Sequence, residues 1–210
     1  SMASSTGYLS SDGTSMAAPH AVSYAALVLS TGNFTEERIK FLLFANNDDV
    51  VGLPRFVTSG GRINLALGLN VPKIAPAPVG DLNVDRETSH SSARLAWTSP
   101  GDSNGQKLVG AKLYVSTREF NEENANSSKD IKILNLFPLR KGRDEVVFYT
   151  LIDLAENTSY FLAIQPFDRG GNFSPLSETI KAKTRESNSF VLRPFETKEG
   201  QADPGNWTVV

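Results

Sequence analysis

The sequence predicts a chain of two parts, a mostly helical first part and an all-β antiparallel sandwich. Three observations carry this prediction: long apolar segments with helical spacing come first, short alternating runs with turn residues follow, and three prolines fall within residues 71–78. Proline fixes φ and removes a hydrogen-bond donor, so the junction is predicted to be a stiff linker. The predicted units are 1–71, the linker 72–78, the sandwich 79–186 and a C-terminal extension 187–210.

Composition excludes several classes of protein. The 210 residues are 40% hydrophobic and 21% charged, with a net charge of −2 and no cysteine. This balance is that of an ordinary globular protein and excludes general disorder, disulfides and thiolate metal sites. The basic excess of a nucleic-acid binder is missing, and no apolar run reaches the ~20 residues of a membrane span. Because Ser1-Met2 looks like an expression scar and no signal peptide follows it, we expect a piece of a longer protein.

The first part carries three predicted helices. Residues 16–29 are apolar almost all round, which is typical of a helix buried in a larger body. A second helix is predicted from Glu36 to Ala45, capped by Thr35, and a short one over 63–69. About 70 residues are too few to cover three such helices. We therefore expect the first helix to pack against another chain or against the C-terminal extension, or to be partly disordered.

The second part reads as a seven-stranded sandwich. Alternation places Leu95 with Trp97, Leu113 with Val115, and Tyr160 with Leu162 and Ile164 on inward faces. Within the extension, 190–192 and 207–210 are further candidate strands. The seven predicted strands are 80–87, 92–98, 108–117, 131–138, 144–151, 159–166 and 177–184.

The stretch Gly13-Thr14-Ser15-Met16-Ala17-Ala18-Pro19-His20 is the most informative for chemistry. It places a serine hydroxyl where an apolar helix begins. Free N–H groups and the positive end of the helix dipole at that position stabilise a developing oxyanion. Taken as chemistry alone, the same residues also fit a plain helix N-cap before a buried helix, and that reading is the more common one.

This octapeptide resembles the nucleophile motif of subtilisin-like serine proteases, and Gly60-Gly61-Arg62-Ile63-Asn64 resembles the closing segment of that family. The resemblance covers about residues 5–70. It implies that the first part is an α/β fragment, the mostly helical end of a parallel-sheet domain. It also implies that Ser15 is the nucleophile, that its backbone N–H contributes to the oxyanion hole, and that Gly13, Thr14, Met16 and Pro19 support the motif. The chain departs from the family pattern at Asp12 and at Ala21-Val22-Ser23.

A serine nucleophile needs a base and an orienting acid. The chain has two histidines. His20 lies about 140° around the helix from Ser15 and is expected to be packed, and His90 is expected in an exposed turn. By the resemblance, the triad Asp and His and the oxyanion Asn lie upstream of residue 1, so the isolated chain is predicted to be inactive. The resemblance further implies protein or peptide substrates, a partner in the N-terminal part of the same protease and an extracellular location. It allows calcium, for which no ligand is assigned; no metal ligand and no other cofactor is predicted.

The second part resembles fibronectin type III domains. Leu154-Ala155-Glu156-Asn157-Thr158-Ser159-Tyr160 matches their L-x-x-x-T-x-Y pattern, Trp97 matches their strand-B tryptophan, and residues 168–174 resemble their F–G turn. The resemblance covers about residues 76–186 and implies an immunoglobulin-like sandwich with the Tyr160 hydroxyl satisfying backbone at a corner.

These patterns leave two functions to compare. The first is a part of a secreted subtilisin-like serine endopeptidase. The alternative is a non-catalytic binding or scaffold protein, in which the fibronectin type III domain is the functional unit. Other polar groups are interpreted as surface: the pair Asp48-Asp49 as solvated carboxylates, and 140–143 as an exposed hairpin turn.

Overall fold

A computed structural model describes residues 12–32, 34–50, 59 and 61–187 in full. It also describes the strand backbones at 2–4, 7–8, 193–196 and 202–208.

The described residues of the first part form three helices and two short antiparallel strand pairs. Thr35 caps the second helix, since its Oγ1 accepts a hydrogen bond from the Arg38 amide at 3.3 Å. The predicted helix from Glu36 to Ala45 is confirmed, whereas the first helix begins two residues before the predicted range and the third is shorter than predicted. The elements are β1 (Met2–Ser4), β2 (Gly7–Tyr8), α1 (Thr14–Ser30), α2 (Glu36–Ala45), β3 (Asn47–Asp49), β4 (Gly61–Ile63) and α3 (Leu65–Leu69).

Tyr24 joins the three helices. It is buried with Val28 of α1 and Leu42 of α2, and its hydroxyl donates a hydrogen bond to the Leu42 carbonyl at 3.2 Å. Burial raises the pKa of Tyr24 to about 12. In α3, Gly68 lies so close that an added Cβ would overlap the Tyr24 hydroxyl oxygen. A side chain at position 68 is therefore incompatible with this packing.

Seven strands form two antiparallel sheets, as the alternation predicts. One sheet has the order β5–β6–β9, and the other has the order β11–β10–β7–β8. In both sheets, every pair of hydrogen-bonded strands is antiparallel. The strands are β5 (Asn83–Val84), β6 (Ala93–Thr98), β7 (Gly110–Ser116), β8 (Lys132–Leu136), β9 (Val146–Leu151), β10 (Ser159–Phe167) and β11 (Ile180–Lys183).

The core of the sandwich lies between the two sheets. Leu95, Leu113, Leu162 and Ile164 have no exposed surface, and Trp97 is 1% exposed. The predicted inward faces are therefore confirmed, because these residues come from both sheets and belong to one cluster. Full burial of such a side chain stabilises the fold by about 1.5–3 kcal/mol.

A tyrosine closes the turn between β9 and β10. Tyr160 packs against the core, and its hydroxyl oxygen accepts a hydrogen bond from the Ala155 amide at 2.8 Å. This corner, in which a tyrosine near the start of a strand bonds to backbone a few residues upstream, is characteristic of immunoglobulin-like sandwiches. The predicted role of the Tyr160 hydroxyl is confirmed.

The C-terminal extension contains an antiparallel strand pair, β12 (Arg193–Glu196) and β13 (Ala202–Thr208). The candidate strand at 190–192 lies outside the described residues, and the other candidate overlaps the end of β13. The division of the chain at residues 72, 79 and 187 stays a prediction. The α/β assignment of the first part also stays a prediction, since every strand pair described there is antiparallel.

Candidate functional site

Ser15 lies in the first turn of α1, where the sequence predicts it. The preceding Gly13 has φ 147° and ψ 160°, and no atom lies within 4 Å of a Cβ added there. Glycine is therefore favoured by the backbone angle and not by lack of space. The Gly13 carbonyl accepts hydrogen bonds from the amides of Met16 at 3.0 Å and Ala17 at 3.2 Å, which fixes the turn around Ser15. Ser15 is exposed, so its hydroxyl is accessible at the positive end of the helix dipole.

Pro19 lies inside α1 and not at its first position, where proline is most common. Because α1 begins at Thr14, Pro19 is past the first turn, where the missing donor would cost least. The nitrogen of residue 19 would normally donate to the carbonyl of Ser15, four residues before it. Proline cannot make this bond, so the helix is locally weakened at the serine.

Neither histidine is placed to act as a base for Ser15. His20 is exposed on α1, and the expectation that it is packed is wrong. It lines a groove of about 580 Å³ beside Tyr24, Ile63 and Leu65, on a different face of the helix from Ser15. His90 lies in the β5–β6 turn of the sandwich. Hydrogen bonds from Ser187, and to a smaller extent the nearby His90, lower the pKa of Glu156.

Much of the apolar surface of α1 is exposed. The exposed fractions are 68% for Val22, 47% for Leu29 and 41% for Leu27, and only Tyr24 and Val28 are buried. The sequence predicts an all-round apolar helix, and the remainder of the described chain covers one side of it. Among the described helices, none has the length and apolar character to cross a membrane.

The first part of the chain and the linker both contact a turn of the sandwich, residues 168–172, which we call the docking turn. The Arg38 guanidinium of α2 donates to the Gly170 carbonyl, and Asn46 Nδ2 donates to the Arg169 carbonyl at 3.3 Å. From the other side, Asn172 Nδ2 donates to the Pro72 carbonyl at 2.8 Å. The two parts therefore share a hydrogen-bonded interface of backbone and side chains.

Two glycines allow this close approach. A Cβ at Gly170 would overlap the Pro72 carbonyl oxygen, and a Cβ at Gly171 would overlap Arg38 Nη1. Gly171 also has φ +73°, which disfavours other residues. The sequence shows the glycine pair as a turn signal, but the partners that require it lie far away along the chain, Arg38 at 133 positions before Gly171 and Pro72 at 98 positions before Gly170.

Asp49 forms a second link to the sandwich. Its carboxylate accepts hydrogen bonds from Lys107 Nζ at 2.6 Å and from the Arg140 guanidinium. Burial raises the pKa of Asp49, but the hydrogen bonds from Lys107 and Arg140 outweigh it, so that the pKa lies below its usual value. The side chain of Arg140 is only 18% exposed. Arg140 is therefore not the exposed turn residue that the sequence predicts, whereas Asp49 is exposed, as predicted, and is also ion-paired.

The described residues contain no candidate metal site. Within the part of the chain that the structure describes, no three His, Asp or Glu side chains group together in a way that would hold a metal ion. Calcium therefore remains only an implication of the subtilisin-like resemblance.

The fold resembles solved fibronectin type III structures. The FN1–FN3 domains of chicken CNTN1 match at 18% identity and a TM-score of 0.40, over 53% of this chain and 33% of theirs. The type III domain of human fibronectin type III domain containing protein 3 matches at 16% identity and 0.40, over 57% and 96%. The FN5 domain of Drosophila Lar matches at 14% identity and 0.36, over 53% and 99%.

No protein-family model matches the chain. No curated protein matches it either. The two antiparallel sheets and the tyrosine corner define the second part as an immunoglobulin-like sandwich, the architecture that fibronectin type III domains share.

Proposed function

We propose that the chain is part of a secreted subtilisin-like serine endopeptidase in which Ser15 is the nucleophile. The observation that supports this most is the exposed Ser15 in the first turn of α1, two residues after Gly13, which has φ 147°. In the proposed reaction, Ser15 Oγ attacks the scissile carbonyl and its proton passes to a histidine base. The Ser15 N–H stabilises the resulting oxyanion, the amine leaves, and water then hydrolyses the acyl-enzyme.

The base and the acid of this reaction come from outside the 210 residues. His20 and His90 are both unsuitable, because one lies on a different face of α1 and the other belongs to the sandwich. The exposed Val22, Leu27 and Leu29 support the same proposal, since a catalytic domain would cover this face of α1. Protein or peptide substrates and an extracellular location belong to this proposal as well.

Active-site labelling tests the proposal. In the longer protein that also carries the Asp and the His, a fluorophosphonate probe should label Ser15, and Ser15→Ala should lower kcat by about 10⁴–10⁶. Ser23→Ala is the matched control, because it removes an exposed serine hydroxyl from the same helix. Turnover of Ser15→Ala within tenfold of the unmodified enzyme would remove Ser15 from the mechanism. The 210-residue chain alone should hydrolyse no casein and take up no probe.

A binding or scaffold role of the sandwich is the second candidate. The outer face of the three-stranded sheet favours this role, because Phe148 is 52% exposed and Val146 is 50% exposed there. On the same face, the Arg94 guanidinium lies 4.5 Å from the Phe148 ring centroid. An exposed aromatic ring beside an arginine is a common anchor at protein interfaces. The two functions differ in one result: Ser15→Ala abolishes hydrolysis, whereas Phe148→Ala would abolish only binding.

A further inference from the structure

We propose that a groove between α2 and the four-stranded sheet binds a small aromatic carboxylate. This aromatic groove has a volume of about 390 Å³, which lies in the range of small-molecule sites. Its walls and floor are five phenylalanine rings: Phe41, Phe44, Phe137, Phe167 and Phe173. The proposal concerns a ligand site and is independent of the proposed peptidase function.

The floor of the aromatic groove is fixed before any ligand arrives. Phe167 is 6% exposed, and its ring centroid lies 5.2 Å from that of Phe173, 5.9 Å from Phe41 and 6.4 Å from Phe137. On the neighbouring strand Gly110 is paired with Phe167, and a Cβ at Gly110 would overlap the ring. A preformed apolar site loses little entropy when an aromatic ligand enters it.

Lys112 gives the aromatic groove its charge preference. Its Nζ lies 4.3 Å from the Phe173 ring centroid, and its partners on the two neighbouring strands are Asn135 and Gln165, which are both uncharged. Glu37 and Lys40 of α2 also line the groove, so its lining carries two ammonium groups against one carboxylate. This excess of positive charge favours an incoming anion.

Together these features define the ligand. The rings accept a flat apolar body by offset or edge-to-face stacking, and Lys112 binds a carboxylate at the end of that body. A bare anion such as phosphate would leave the apolar floor unused, and a neutral aromatic molecule would leave Lys112 without its counter-ion.

Three probes of the same shape test this assignment on the unmodified chain. 3-Phenylpropanoate, 3-phenylpropanamide and 3-phenylpropylamine carry a negative, a neutral and a positive end group. By ligand-observed NMR titration, the carboxylate should bind about three- to fivefold more tightly than the amide, and the amine should bind most weakly. Added salt should reduce this preference. Equal affinities, the reverse order, or no binding of the carboxylate at millimolar concentration would overturn the proposal.

Two variants locate the site. Lys112→Gln should remove the preference for the carboxylate while leaving amide binding unchanged, and Phe173→Ala should weaken all three probes by about three- to tenfold. Lys181→Gln is the matched control, because it also removes an ammonium group beside a ring, 5.8 Å from the Phe161 ring centroid, and Lys181 does not line the groove. An equal loss of preference in Lys181→Gln, or an unchanged preference in Lys112→Gln, would show that the probes bind elsewhere.

Discussion

Replacing Gly171 by alanine measures how strongly the docking turn holds the first part of the chain. The added methyl would overlap Arg38 Nη1 and lie 3.1 Å from Phe41 Cε1, so the Arg38 guanidinium would have to swing away from the docking turn and the Phe41 ring would have to shift. Gly105 is the matched control. It has nearly the same backbone angle, φ +75° against +73°, but the nearest atom to an added Cβ is Arg143 Nε at 4.0 Å.

The comparison isolates the docking contribution. Both substitutions pay about 1–2 kcal/mol for a left-handed alanine, and both reduce the entropy of the unfolded chain, so these effects cancel. Gly171→Ala also breaks the hydrogen bond from the Arg38 guanidinium to the Gly170 carbonyl. A hydrogen bond from a charged group contributes about 1.5–3 kcal/mol, and since Arg38 is half-buried we expect an excess near the lower limit.

Two measurements decide the outcome. Urea unfolding, followed by the fluorescence of the buried Trp97, gives the difference in free energy of unfolding between the two variants. Amide hydrogen exchange of 36–45 reports whether α2 remains protected. We expect faster exchange of α2 in Gly171→Ala and unchanged exchange in Gly105→Ala. Equal destabilisation of both variants with α2 still protected would refute the docking argument.

Three further changes test the interface and the core. Lys107 and Arg140 lower the pKa of Asp49, so the contribution of these contacts to folding stability is present at neutral pH and is lost as the pH falls below about 4. Asp49→Asn should therefore flatten the acid limb of a curve of unfolding free energy against pH. An unchanged acid limb would contradict this. Tyr160→Phe should cost about 1 kcal/mol in chemical denaturation, because only the corner hydrogen bond is lost. Trp97→Ala should cost about 3–5 kcal/mol, and a loss below 1 kcal/mol would mean that this ring is not central to the core.

The sandwich was predictable because its signals are local. Alternation fixes which side chains face inward, and Leu95 and Trp97 follow it in β6. Turn residues separate the strands, and the Thr35 cap with acidic residues after it marks the start of α2. Each of these signals acts over a few residues, so a single sequence contains it completely.

The interface between the two parts was not predictable from such signals. The Arg38–Gly170 contact joins residues 132 positions apart, and the Arg140–Asp49 contact joins residues 91 apart. No periodicity or spacing encodes which charged residue meets which turn. For the proposed catalytic site, the position of Ser15 in a first helical turn was predictable from the motif, but its base was not, because neither His20 nor His90 is suitable.

The odd number of strands determines where the chain enters and leaves the sandwich. Because the seven strands alternate in direction, the chain enters at one end of the sandwich and leaves at the other. The hydrogen bonds agree: Pro72 is held at the docking turn, whereas the Arg185 amide donates to the Ser89 carbonyl at the opposite end. At 3.3 Å per residue, the nine residues of β10 span about 30 Å. Since α2 is hydrogen-bonded to the docking turn at one end of the sandwich, anything attached after residue 185 is held at the other end, separated from α2 by about that length.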